Sequence, residues 1–267
     1  MPMSNAAMLP SLSMFFVGLV VLLLWKNKFK TKTKIVFWGA IAWIASILVK
    51  SIVAVLFNQS LYNMLMPTGS YGPIVFYIYI GLLTGIFEIF IPMYIILRKR
   101  GLLQALSDKN SQLGFGITFG CTEAIILGIV GVISFAMVAS LGVNVPAAVS
   151  DMYSKSASVY VVNSFYSGME RLLAIVIHVF STMLIFFYIF RKNILYLASA
   201  VIYKTFVDGI TAFFLLSSIV FNLEVVEAIF AVIALVSIIV LWELLKLKPF
   251  VKKIVKKKSA KRSKRKR

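Results

Sequence analysis

The chain has few charged residues and almost none of the side chains that bind transition metals. Only 14% of its 267 residues are charged, against 61% that are hydrophobic, whereas about 25% are charged in an ordinary soluble domain. A water-soluble globular protein is therefore excluded. The single cysteine, Cys121, excludes an internal disulfide and a metal site built from cysteines. His178 is the one histidine.

What the chain does have is long apolar runs of the length that crosses a bilayer as a helix. The runs are continuous, without the alternation of apolar and polar residues that is typical of barrel strands. We predict an all-α bundle of about seven transmembrane helices in residues 1–245, followed by a polybasic tail in residues 246–267. The predicted spans are residues 6–25, 35–57, 73–97, 112–140, 159–190, 193–218 and 223–245.

The basic residues indicate how the bundle is oriented. Of the 28 Lys and Arg, 24 follow spans one, three, five and seven, while the loops on the opposite side hold only Lys155. Loops rich in Lys and Arg stay in the cytoplasm. We therefore predict an N-terminus outside, a C-terminus in the cytoplasm, and a multi-pass protein of the plasma membrane.

The tail is the most basic part of the chain, with 13 Lys and Arg between Lys246 and Arg267. A dense basic run can bind nucleic acid through its phosphates. Next to a membrane span, however, it attracts anionic lipid headgroups by about 1 kcal/mol for each charge near the surface. We expect contact with anionic headgroups and no specific nucleic acid partner.

Several ionisable side chains fall inside the predicted spans, where each costs about 2.5–3.5 kcal/mol at a helix centre and is for that reason a functional candidate. Asp208 lies one turn from Lys204 on the same helix face and can pair with it. At 1.5 Å per residue, four of these side chains on four different spans lie near the middle of the bilayer: Glu88, Glu123, His178 and Lys204. The others are Lys50, Glu170 and Arg171.

Carboxylates and an imidazole that meet inside a bundle support two kinds of chemistry. They can bind a divalent metal whose bound water becomes a nucleophile, with a further carboxylate as general base. They can also transfer protons or bind a cation, as in transporters. A structural alternative is that Lys204 with Asp208, and Glu170 with Arg171 or His178, are neutralising pairs that fix the packing of the helices.

Glycines in the sequence GFGITFG predict close helix packing. Gly116 and Gly120 are four residues apart, so they lie on one helix face and let a neighbouring helix approach. No predicted strand precedes them, which argues against a phosphate-binding loop. The same close approach would bring Glu123 against the next helix.

Four motifs on successive spans resemble the YhfC family of intramembrane metalloproteases. They are GIFE (85–88), GFGITFGCTEAIILG (114–128), MERLLAIVIHVF (169–180) and YKTFVDG (203–209), and the similar region covers residues 74–216. The resemblance implies a membrane helix bundle that binds a metal, expected to be zinc. It also implies hydrolysis of peptide bonds in a membrane protein or peptide, in or near the bilayer.

The resemblance further implies roles for particular residues. Glu88 and Glu123 are the expected catalytic carboxylates, one of them activating water. The expected metal ligands are His178, Glu170 and Asp208. Arg171 matches the family motif as well, in the Glu-Arg pair that precedes the histidine by seven residues.

The chain departs from the family pattern at four positions. Ile89 and Pro92 stand where the family has a second glutamate and an arginine, and Phe119 and Lys204 stand where it has histidines. A lysine is a poor zinc ligand, because it must first lose its proton. Two alternatives to hydrolysis therefore stay open: a proton- or cation-coupled transporter, and a non-catalytic scaffold such as the Aph-type subunit of gamma-secretase in the wider superfamily.

Overall fold

The computed structural model describes residues 4–69, 71–141, 155–217 and 222–246. These residues form a short 3-10 helix, Asn5–Met8, and eight α-helices, without a strand. The predicted tail, apart from Lys246, and most of the predicted loops 141–158 and 219–222 lie outside the described residues. The helices are α1 (Leu9–Phe29), α2 (Thr33–Leu65), α3 (Tyr71–Arg98), α4 (Leu102–Ala105), α5 (Lys109–Leu141), α6 (Ala157–Arg191), α7 (Ile194–Leu216) and α8 (Leu223–Lys246).

All of these helices except α4 are long and apolar enough to cross a membrane, which confirms the predicted all-helical bundle with seven candidate spans. The chain is a multi-pass membrane protein. The main difference from the predicted boundaries is in α2, which continues to Leu65 instead of ending near residue 57. Polar side chains in this last part bond to each other, since Gln59 donates to Asn63 and Tyr79 of α3 donates to Asn58.

The helix ends that carry most of the basic residues lie at one end of the bundle, which we call the basic end. Here α1 and α6 finish at Lys30 and Lys192, both in the left-handed conformation with φ of 48° and 59°. Asp108 caps the start of α5 by accepting a hydrogen bond from the backbone N–H of Ser111 at 2.9 Å. The prediction that this end faces the cytoplasm rests on the sequence alone.

Helix α6 is the centre of the bundle. It contacts α1, α3, α5, α7 and α8, and every residue from Ile177 to Phe187 is buried. A helix that is buried on all sides belongs in the interior of a bundle. Because His178 lies in this stretch, it is placed where the neighbouring helices meet.

Helices α3 and α7 pack with their backbones in close contact. A methyl group on either Gly81 or Gly85 of α3 would collide with Thr205 of α7, so only glycine permits this approach. Gly85 belongs to the GIFE motif and lies one turn before Glu88. The contact therefore brings Glu88 of α3 opposite Lys204 of α7.

Helix α8 is attached to the bundle along one side only. It packs on α6 and makes few contacts with α1, α5 or α7 in the part of the chain that the structure describes. Gaps are thus left on both sides of α8, one toward α7 and one toward α1 and α5.

Candidate functional site

The charged residues predicted inside the spans form one network that joins five helices. It contains four carboxylates, three Lys or Arg side chains and the one imidazole. We call it the charge network, and its members are Lys50 of α2, Glu88 of α3, Glu123 of α5, Glu170, Arg171 and His178 of α6, and Lys204 and Asp208 of α7.

Glu88 lies between two lysines. Lys50 Nζ is 3.1 Å from Glu88 Oε1 and also donates to the Thr84 hydroxyl, while Lys204 Nζ is 3.1 Å from Glu88 Oε2. Only 4% of the Glu88 side chain is exposed. Pro92, four residues on, has no N–H to donate to the Glu88 carbonyl. A carboxylate so deeply buried is stable in its charged form only with such partners.

Glu123 accepts hydrogen bonds from three different residues. Arg171 donates to Oε1 at 2.8 Å, and Oε2 contacts both His178 Nε2 at 2.8 Å and the indole N–H of Trp43 at 3.0 Å. Hydrogen bonds that involve a charged partner are roughly twice as strong as neutral ones. Both oxygens of Glu123 are thus held in fixed directions by α2 and α6.

His178 joins Glu88 and Glu123. Its Nε2 contacts Glu123, and its Nδ1 lies 3.7 Å from Oε2 of Glu88. Three of the four groups predicted near the middle of the bilayer are therefore in contact, with the His178 imidazole between Glu88 and Glu123. Whether these groups converge depends on how each helix is rotated about its axis. The sequence does not predict this rotation, and the structure shows that they converge.

The remaining members form pairs at the edge of the network. The expected pair of Lys204 with Asp208 is present, with Nζ 2.9 Å from Oδ2. Glu170 pairs with Arg171, and 44% of the Glu170 side chain is exposed. Of the two partners that the sequence allowed for Glu170, the structure has Arg171, while His178 faces Glu123 and Glu88 instead.

The two glycines of α5 allow this geometry. A Cβ on Gly120 would lie 2.9 Å from the Cα of Ile175, and one on Gly116 would lie 3.0 Å from the Cα of Val179. The close approach predicted from their spacing is therefore present, with α6 as the neighbour. It sets Glu123, one turn further along α5, against His178 and Arg171.

A cavity of about 120 Å³ borders the charge network between α6, α7 and α8. Since a water molecule occupies about 30 Å³ in the liquid, the cavity has room for a few waters or a small side chain. Polar members of the network form one wall, and apolar side chains form the rest, among them Leu173, Ala174, Val207 and Phe230.

Sequence reasoning did not place Lys50 and Trp43 in the site. Lys50 was noted as a charge within a span, but no partner was predicted for it. The signal that would have found both is their spacing, because Trp43, Ser46 and Lys50 recur at helical intervals and form a polar stripe on one face of an apolar helix.

The donors present do not fit a divalent metal ion. The expected ligands His178, Glu170 and Asp208 all line the cavity beside the network. Among the described residues, however, no three side chains of His, Cys, Asp or Glu are arranged to hold a metal ion. The physical reason is that each carboxylate of the network already contacts a Lys or Arg. Lys204 lies between Glu88 and Asp208, where its ammonium group would repel a second cation.

Comparison with known proteins identifies a family that the chain matches over most of its length. The profile of a family described as YhfC intramembrane metalloprotease matches residues 13–240, which is more of the chain than the region 74–216 that carried the resemblance. No curated protein and no solved structure matches the chain.

Proposed function

The chain belongs to the YhfC intramembrane metalloprotease family, and we propose that it is a non-hydrolytic member, a membrane scaffold that binds segments of other membrane proteins without cleaving them. In this proposal the charge network keeps the architecture of the family's site, with fixed cations in place of a metal.

One observation carries the proposal, the position of Lys204. Its Nζ lies 3.1 Å from Glu88 and 2.9 Å from Asp208, at a position where the family has a histidine. A lysine ammonium group can bind two carboxylates as a metal cation does, but it is not a Lewis acid and does not lower the pKa of a bound water as a metal does. It can therefore stabilise the site without generating the nucleophile that metal-dependent hydrolysis requires.

The surroundings of Glu123 support the same conclusion. A general base must take a proton from the attacking water, so at least one of its oxygens needs a free lone pair directed at that water. Oε1 of Glu123 accepts from Arg171, and Oε2 accepts from Trp43 and contacts His178. A carboxylate has about four lone-pair sites, and these contacts occupy three of them, so a single site on Oε1 is left for a water.

The cavity beside the network is the feature that supports binding. It combines the polar wall of the charge network with apolar side chains of α6, α7 and α8, a lining suited to the side chains of a membrane-spanning segment. Because α8 packs chiefly on α6, a segment inserted beside α8 would have to displace few helix contacts.

Metal-dependent peptide hydrolysis is the competing function, and one contact favours it. His178 Nε2 lies 2.8 Å from Glu123 Oε2, and both residues line the cavity. A metal ligand and a carboxylate in this arrangement could belong to a hydrolytic centre that also recruits Glu88 or Asp208 after side-chain movement.

Metal content distinguishes the two functions. We expect purified wild-type protein to contain no stoichiometric zinc. The double variant Phe119→His/Lys204→His restores both missing histidines, and the Phe119 ring already lies 5.2 Å from the ring of His178. This variant should bind zinc. Phe115→His with Lys204→His is the matched control, because the Phe115 ring packs instead against Phe186, at 5.8 Å.

Equimolar zinc in the wild type, lost in His178→Ala, would overturn the proposal and favour hydrolysis. Zinc gained equally by the Phe115→His control would show that any added histidine binds metal. Binding itself is tested by a photoreactive residue at position 230, whose adducts should disappear when Ala174→Trp fills the cavity. Equal adducts from position 242 on the exposed face of α8 would count against a specific site.

A further inference from the structure

A second cavity lies on the other side of α8, away from the charge network. It has a volume of about 360 Å³ and is bounded by α1 and α5 on one side, by α8 on the other and by α6 at its base. We call it the α8 groove. Its lining is almost entirely apolar and includes Val21, Leu113, Val176, Phe180, Ile238 and Leu241.

The hydroxyl group in this lining is already bonded. Ser237 donates to the carbonyl of Ile233 at 2.7 Å and lies 2.7 Å from the Tyr203 hydroxyl. The indole nitrogen of Trp25 is buried against Gly114 of α5, where an added Cβ would lie 3.0 Å from it. The groove therefore presents hydrocarbon to its contents, and an apolar cavity of this kind stays dry. A hydrocarbon chain is the kind of ligand that it fits.

A positive charge of α1 stands at the basic end of the groove. Val21 and Trp25 line the groove from α1, and Lys28 follows them at the spacing i, i+4, i+7 that keeps residues on one helix face. Lys28 belongs to the last turn of α1 and is exposed. It thus lies on the groove side of α1 just beyond the apolar lining, with its ammonium group 5.7 Å from the Phe29 ring.

Two more positive charges cross from other helices to the end of α8. Lys109, one turn before the lining residue Leu113 of α5, donates to the carbonyl of Leu245. Arg191 of α6 donates to the carbonyl of Leu244 at 3.3 Å. Both contacts lie about one turn beyond the lining residue Leu241. The basic end of the groove therefore carries three positively charged side chains, one each from α1, α5 and α6.

An apolar groove that ends in cations matches an amphiphile with an anionic head. We propose that the α8 groove binds an acyl chain of an anionic phospholipid, with the phosphate beside Lys28 and Lys109. Basic pockets between transmembrane helices bind such headgroups. A protein helix is a poorer fit, because a helix about 10 Å across would fill 360 Å³ within about one turn.

The test is native mass spectrometry of the protein released from lipid nanodiscs that hold equal amounts of phosphatidylglycerol and phosphatidylcholine. Wild-type protein should retain phosphatidylglycerol in preference to phosphatidylcholine. In Lys28→Gln/Lys109→Gln the ratio of the two lipids should fall by about fivefold for each charge removed. Arg98→Gln/Lys99→Gln is the matched control, since it removes two charges from the same end of the bundle and should leave the ratio unchanged.

Val176→Trp, on the base of the groove, should reduce retention of both lipids without changing a charge. The single variant Lys28→Gln is included in case the double variant misfolds, because Lys28 is exposed and its substitution should not disturb the fold. It should lower the ratio of phosphatidylglycerol to phosphatidylcholine about fivefold. Three results would each overturn the proposal: equal retention of both lipids by the wild type, an equal loss of selectivity in the Arg98/Lys99 control, or undiminished retention in a folded Val176→Trp protein.

Discussion

Lys204→Met is the perturbation that most directly probes the charge network. Methionine has a similar length and apolar stem, so the substitution removes the ammonium group while keeping most of the packing. Two carboxylates lose a partner, since Lys204 Nζ is 3.1 Å from Glu88 and 2.9 Å from Asp208. Glu88 keeps Lys50, but Asp208 has no other ion-pair contact among the described residues.

The structure also indicates the size of the effect. Removing one partner of a buried ion pair typically costs about 3–5 kcal/mol. Glu88 stays paired, and 27% of the Asp208 side chain is exposed, so we expect a loss at the lower limit, about 3 kcal/mol. Adding Asp208→Asn removes the unpaired charge and should recover at least half of that loss.

The assay is the free energy of unfolding in mixed detergent micelles, titrated with SDS. Lys246→Met is the matched control, because Lys246 also pairs with a carboxylate, Glu243, but both side chains are more than half exposed. Its loss should cost below about 1 kcal/mol. If Lys204→Met were as stable as Lys246→Met, or if Asp208→Asn restored nothing, Lys204 would not hold the network together.

Gly120 and Trp43 each give a further prediction, and the distribution of basic residues gives another. Gly120→Leu should lower the temperature of thermal unfolding, because the leucine side chain would collide with the backbone of Ile175. Val130→Leu, on an exposed face of the same helix, should leave that temperature unchanged. Trp43→Phe removes a hydrogen bond to a charged acceptor and should cost about 1.5–3 kcal/mol in the same SDS titration. A cost below about 0.5 kcal/mol would contradict this. A topology reporter after residue 267 should be cytoplasmic and one near residue 69 external, and the reverse at either position would refute the predicted orientation.

The features that could be predicted from the sequence depend on residues close together in the chain. The apolar runs give the helices, the i, i+4 spacing gives the pair of Lys204 with Asp208, and the glycine spacing gives the approach of α5 to a neighbour. The partners of Glu88 could not be predicted in this way. They come from α2 and α7, and whether Lys50 points at Glu88 depends on how each helix is rotated.

The predicted metal site shows a second limit of prediction from local sequence. The resemblance to the family supplied candidate ligands one position at a time, and each is present. Whether they form a metal site depends on which groups compete for them, and here Lys50, Lys204 and Arg171 contact the carboxylates. A departure at a single position, such as Lys204 where the resemblance implies a histidine, therefore bears directly on the chemistry of the site.

The order of the charge network along the chain also bears on how the protein enters the bilayer. Each buried charge costs about 2.5–3.5 kcal/mol during insertion unless it is neutralised. Lys50 of α2 meets Glu88 of α3, and Glu123 of α5 meets Arg171 of α6, so in both cases the counter-charge lies on the next spanning helix to be synthesised. Lys204 and Asp208 neutralise each other within α7.

Biogenesis can thus proceed by helical hairpins, with α2 entering together with α3 and α5 together with α6. In the described part of the chain, three polar contacts connect the first hairpin to later helices: Glu88 contacts His178 and Lys204, and Trp43 of α2 donates to Glu123 of α5. Those contacts would form last, when the preassembled hairpins dock against each other.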